Sequence, residues 1–363
     1  MIPQQKTDSS NPGSPFGKAR SILDSCISEP FDKLDGEAIR QQKRHRTLTV
    51  IAAFAGTLAV ILAVLQLTIR VIDPENLEPF KAFIAYLEST KDVAILESGV
   101  ILLALIAVVI GISAAHKGNW ILSRSKAERI RMLKFRALLQ PDLWVSLSTD
   151  RSLEMEEWRL IVNREILNIK AMKFESLHAW MAAEKISPSP QAPDIPPGRQ
   201  NQIDRLIEYY TINRLDDQIG YFTRAAERLE RRNLHTERIP DLLFFASVFC
   251  VLLHFSIEAL VPQYENNTGF YMLSIGLIFA AISLPVILAG IRTYRGAHEF
   301  SRSSLLFRTK ANSLAQMRKR LDLLRSADPP RYDEIYPTLL EAEDFFESEH
   351  REWLRLMMET EWY

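Results

Sequence analysis

Apolar and polar residues are sorted into blocks along this chain. The most pronounced blocks lie between Asp241 and Arg292, where LLFFASVFCVLLHFSIEALV is followed by the turn PQYENNTG and then by FYMLSIGLIFAAISLPVILAGI. Each apolar run holds roughly 20 residues, enough for an α-helix to cross a hydrocarbon core about 30 Å thick. Lipid offers the backbone no hydrogen-bond partners, so a single span has to be helical. The connecting turn is too short to fold by itself, which predicts an antiparallel hairpin. A buried hairpin inside a soluble core is the competing reading. Two nearly uncharged runs of full span length disfavour it.

The pattern recurs upstream. Leu48–Ile69, LTVIAAFAGTLAVILAVLQLTI, is a span candidate with Gln66 as its most polar member, and Ser98–Ala115, SGVILLALIAVVIGISAA, is another. Between them residues 73–92 are acidic, with an amphipathic middle, PFKAFIAYL. The predicted fold is therefore all-α, a membrane protein with four transmembrane helices in two hairpins and long cytoplasmic helical extensions. Basic residues flank the non-hairpin ends of the spans: Lys43, Arg44 and Arg46, then Lys117 and Arg124, then Arg228, Arg231, Arg232 and Arg238, then Arg292 and Arg295. By the positive-inside rule this asymmetry places both termini in the cytoplasm of a multi-pass protein of the inner (plasma) membrane.

The polar remainder divides into a disordered N-terminal tail (1–36), an N-terminal two-span unit (37–186), a proline-rich linker (187–199, containing SPSPQAPDIPPG) and a C-terminal two-span unit (200–363). Lys117–Leu139 reads as a basic helix. Leu153–Lys185 repeats apolar residues every seven positions, at Leu153, Leu160, Leu167, Phe174 and Met181, with Leu177 beside them. Gln202–Leu234 carries a seam at Ile212, Leu215, Ile219, Phe222, Ala226 and Leu229, spaced three and four like a coiled-coil stripe. A matching stripe, Phe307, Ala311, Leu314, Met317, Leu321 and Leu324, follows the last span. Mutual burial of these two stripes is the simplest expectation. A final acidic helix, Pro337–Thr360, places Trp353, Leu356 and Met357 on one side. The halves echo one another, with Gly111-Ile112 and Gly290-Ile291 at the same end of the second and fourth spans.

Composition refines this picture. The mean hydropathy of -0.06 averages very apolar blocks with very polar ones. A formal net charge of -1 leaves no basic excess for neutralising phosphates, so nucleic acid is not an expected partner. The two cysteines, Cys26 and Cys250, form no metal or redox spacing. No HExxH, P-loop, GxGxxG or GxSxG motif occurs, so no enzymatic activity, cofactor or metal is expected. Asp216 and Asp217 are neighbours that would point about 100° apart on a helix. The first 45 residues are expected to hold no cleavable signal. Asn266 heads an N-x-T sequon whose meaning depends on a secretory pathway.

Polar groups within the spans are the candidate functional residues, because a charge near the bilayer centre costs about 2.5–3.5 kcal/mol or more. They are Gln66, Glu97, His254 and Glu258, with Pro285 as a candidate helix kink. His254 and Glu258, four apart, share a helix face. Glu97 and Glu258 are expected near the same membrane surface. One reading has them reaching headgroups; the other makes them the acidic mouth of a cation-favouring, pore-lining pathway.

YYTINRLDDQIGYFTRAAERLERRN before the second hairpin, RGAHEFSRSSLLFRTKANSL after it, and ESEHREWLRLM near the end resemble the SLATT family of two-transmembrane effector domains. HKGNWILSRSKAERIRMLKFRALL after the first hairpin is similar to a second, diverged member of the class, which would make a tandem. The resemblance implies a pore-forming, membrane-perturbing effector of a bacterial nucleotide-signalled conflict (antiphage) system, activated through its cytoplasmic helices. Its expected partners are the lipid bilayer, further copies in a homo-oligomer, and a separate sensor or nucleotide-synthase protein. The alternatives are a non-conducting membrane scaffold for a soluble sensor or enzyme and, more weakly, a secondary transporter, for which Pro285 is the sole hint of a broken helix.

Overall fold

A computed structural model describes residues 14–71, 92–113, 116–140, 152–182, 200–261, 267–298 and 300–359. The linker at 187–199, residues 73–91 of the acidic connection and the sequon residue Asn266 lie outside them. Every regular element among the described residues is helical: α1 (Pro15–Val71), α2 (Asp92–Ser113), α3 (His116–Leu138), α4 (Ser152–Ala171), α5 (Phe174–Ala182), α6 (Gln200–Tyr210), a π-helical turn (Thr211–Asp216), α7 (Asp217–Glu237), α8 (Ile239–Leu260), α9 (Thr268–His298), α10 (Phe300–Arg325) and α11 (Tyr332–Glu359). The helices form two compact units. One comprises Met1–Lys43, His116–Ala226 and Leu305–Tyr363; the other comprises Arg44–Ala115 and Glu227–Ser304. Each half of the sequence contributes to both.

The first unit is a water-type helical bundle with a continuous apolar core. Phe16, Leu23, Leu138, Tyr210, Leu215, Leu314 and Ala342 are all fully buried there. The N-terminal segment expected to be disordered is instead helical from Pro15 onward: it forms the first turns of α1, with Phe16, Ala19 and Leu23 in the core. A polar composition hid them because only one residue in three or four faces inward. The two stripes predicted to bury each other join this same core, and Phe222 stacks on Phe307 with ring centroids 5.7 Å apart.

Two details of the predicted helices differ. The described part of Leu153–Lys185 forms two helices, α4 and α5, separated at Met172 and Lys173. The buried face of α4 is Trp158, Val162, Ile166 and Ile169, a 3.6-residue period, whereas heptad positions Leu160 and Leu167 are 60% and 63% exposed. Similarly, Ile212 of the predicted seam is 40% exposed, while Thr211 and Arg214 are buried. The π turn causes this shift, because its wider i→i+5 bonding inserts an extra residue and rotates the inward face.

The second unit inverts these rules. Phe54, Phe245, Phe249 and Leu260 are between 64% and 77% exposed. Its buried groups include Ala55, Ala59, Ala107, Ser247, Ser274 and Ser283, which are small. Water would not tolerate so large an apolar surface, whereas lipid tails solvate it. Small residues are also what lets helix backbones approach in a membrane. A close approach occurs at Gly290 of α9, where a Cβ would lie 2.5 Å from Thr57 Oγ1 of α1. Among the described residues three helical runs are long and apolar enough to cross a membrane, Pro15–Thr68, Gln200–Leu260 and Thr268–Arg325; a shorter apolar stretch covers Ile95–Ile110. The protein is thus all-helical, with an apolar unit suited to a bilayer.

Candidate functional site

Helices α8 and α9 pack extensively against each other, and polar groups punctuate their seam. His254 Nδ1 shares a 2.8 Å hydrogen bond with Ser274 Oγ of α9, while its Nε2 lies 3.9 Å from Glu258 Oε2 one turn on. The structure thus brings together the two span residues predicted to share a face and adds Ser274. Glu258 itself is 54% exposed. Glu97 lies in the second turn of α2. Gln66, near the end of α1, has a buried Nε2 without a hydrogen-bond partner among the described residues.

Pro285 leaves α9 unbroken. Its ring nitrogen cannot donate to the carbonyl four residues earlier, that of Ala281. Ser247 of α8 donates its hydroxyl to that very oxygen at 2.9 Å, and Ser247 is only 8% exposed. A freed carbonyl in an apolar unit is therefore satisfied by the neighbouring helix, the arrangement that makes proline tolerable in a span. The proline and serine together form a polar pin between α8 and α9.

The first unit contains a denser polar cluster that the sequence reading missed. Arg214, in the π turn, forms a two-pronged pair with Glu343 of α11: Nε to Oε1 at 2.8 Å and an Nη to Oε2 at 3.1 Å. Tyr210 donates its hydroxyl to the same carboxylate at 2.9 Å. Arg214 is 2% exposed and Glu343 fully buried. The guanidinium also lies over the rings of Phe346 and Phe135, 4.0 and 4.9 Å from their centroids. Burial lowers the Arg214 pKa, but the charge and hydrogen bonds of Glu343 outweigh it and leave it raised. The Tyr210 hydroxyl is pushed well above its usual range by burial and then by the Glu343 charge.

Around this centre α3 and α11 exchange further charges. Arg136 bonds Glu347 at 2.5 Å, Arg351 bonds the same carboxylate at 2.7 Å, and Lys310 of α10 pairs with Glu349. Glu128 is held between Arg124 at 2.5 Å and Arg131 at 3.2 Å, and Arg124 also reaches Asp35 of α1 at 2.6 Å. Burial pushes Glu128 upward, yet the two arginines hold it at about 2. His350, 3.1 Å from Ser125 Oγ and stacked on Trp353, is pushed down by burial to about 4, so it is neutral at pH 7.

These charges are neutralised by one another inside a close-packed bundle, an arrangement that fixes helix register rather than activating a nucleophile. A signal for them existed in the sequence. Glu343, Glu347 and His350 fall on the same helical face as Leu339, Ala342, Phe346 and Leu354, so polar residues interrupt an otherwise apolar stripe. Among the described residues no cluster of His, Cys, Asp and Glu could hold a metal ion. Comparison with family models, curated proteins and solved structures yields no match to this chain.

Proposed function

We propose that this chain is an integral membrane effector with four spans in two hairpins, the second half of α1 with α2 and α8 with α9, and with both termini on the inner side. Copies assemble, and a signal received by the first unit alters its helix packing so that the hairpins permeabilise the membrane. The observation that supports this most strongly is the segregation into one bundle with a buried apolar core and one unit whose large apolar side chains face outward. The resemblance to SLATT effectors supplies the conflict-system setting and the expectation of a separate sensor or nucleotide synthase. Glu97 and Glu258 are proposed as the acidic lining of the pathway.

The test is to express the chain alone and with its neighbouring genes while recording membrane potential. Collapse of the potential in at least one condition is expected, with Glu97→Gln/Glu258→Gln shifting the reversal potential of the resulting current. An intact potential in every condition contradicts the reading.

A second reading is favoured by one specific observation. Leu160, Ile161 and Leu167 form an exposed apolar strip on α4, which suits a scaffold that tethers a soluble enzyme or sensor. That reading predicts a stable complex with such a protein and no dye release from liposomes.

A further inference from the structure

A cavity of about 250 Å³ opens in the second unit, lined by Arg46, Arg232, His235, Thr236, Tyr294 and Phe300. The lining comes from three chain segments, each ending or starting an apolar run. Arg46 precedes the run beginning at Leu48, His235 and Thr236 precede α8, and Tyr294 follows the run ending at Ile291. Arg46, His235, Thr236 and Tyr294 therefore fall within a few residues of where an apolar run begins or ends, at the basic end of each helix.

The walls are braced. Arg295 is used internally, bonding Asn233 Oδ1 at 3.3 Å and the Glu237 carbonyl at 3.5 Å, which ties the end of α9 to α7. Tyr294 and Phe300 form an aromatic floor, with centroids 5.9 Å apart and Phe300 only 3% exposed. By contrast, no acidic side chain among the described residues pairs with the guanidinium of Arg46 or Arg232. Two arginines and an imidazole thus line a hollow above an apolar floor, while the Thr236 hydroxyl donates to the Arg232 carbonyl at 2.9 Å and only shapes the wall. Arginine in this setting binds phosphate through paired N–H donors.

We infer that this cavity binds the phosphate headgroup of an anionic phospholipid of the inner leaflet, with the floor rings contacting the upper acyl chain. Phosphate could also arrive as a free anion. The lipid is favoured because the site lies at the ends of the apolar helices, where basic pockets between spans receive headgroups. The inference rests on the membrane reading above, and one basic residue near a surface contributes about fivefold in affinity for anionic lipid.

The experiment titrates the purified full-length protein in neutral detergent with phosphatidylglycerol, with phosphatidylcholine of the same chains and with inorganic phosphate, following bound species by native mass spectrometry. Phosphatidylglycerol is expected to bind saturably and phosphatidylcholine far more weakly. Arg46→Gln/Arg232→Gln should weaken phosphatidylglycerol on the order of 30-fold. Arg231→Gln, on the same helix but outside the cavity, should leave it unchanged. Equal binding of both lipids, equal loss in the Arg231 variant, or full retention in the double variant overturns the inference. So does inorganic phosphate competing at comparable concentration, which would assign the site to a free anion. Recovery of the chain in the soluble fraction without detergent overturns the membrane reading itself, a separately scored result.

Discussion

At the scale of residues, the buried pair of Arg214 and Glu343 is the clearest commitment this sequence makes. Its exposures of 2% and 0% mean both charges have left water, which is tolerable only because each answers the other and Tyr210 completes the carboxylate's bonding. Removing one member strands its partner, at a cost of about 3–5 kcal/mol. Glu343→Ala is therefore expected to lower the unfolding midpoint of the first unit sharply, read by circular dichroism in detergent. The triple replacement Tyr210→Phe/Arg214→Met/Glu343→Leu, which removes every stranded group together, should recover most of that loss. A single variant as stable as the parent contradicts the account of the pair.

At the scale of elements, much of this protein was legible and the failures have identifiable causes. Apolar run length found the three helical runs long and apolar enough to cross a membrane, in α1, α8 and α9, and located the shorter apolar stretch Ile95–Ile110 of α2. The stripe pairing Phe222 with Phe307 was legible because three-four spacing survives along α7 and α10. The π turn was not, since a single inserted residue changes the inward face from Ile212 to Thr211 and Arg214 without any compositional mark. On α4 a seven-residue repeat and a 3.6-residue repeat coexist over five turns, and only packing decided for Trp158, Val162, Ile166 and Ile169. The candidate polar residues were legible as types, but their partners Ser274 and Ser247 were not, because hydroxyls are inexpensive in a span and leave little signal. The close approach of α1 and α9 offers a test at this scale. Gly290→Ala should clash with Thr57 and cost about 1–3 kcal/mol in detergent unfolding. Adding Thr57→Ala should restore stability, and an undisturbed single variant contradicts the close approach.

At the scale of the whole molecule, two solvents explain two sets of rules in one chain. The first unit buries large apolar groups and joins its surface by ion pairs, as water demands. The second exposes many large apolar groups, and alanines and serines are prominent among the groups it buries, beside Leu62, Ile257 and Leu288, as lipid allows. The effector reading, the scaffold reading and the lipid site all require that division to coincide with a membrane boundary. Single introduced cysteines probed with a membrane-impermeant thiol reagent in intact cells test it most directly, after Cys26 and Cys250 are replaced by serine. Thr268→Cys, at the start of α9, should label in intact cells, whereas Glu341→Cys, exposed on α11, should label only after lysis. Equal labelling of the two positions in intact cells, or the reverse order, would contradict the account.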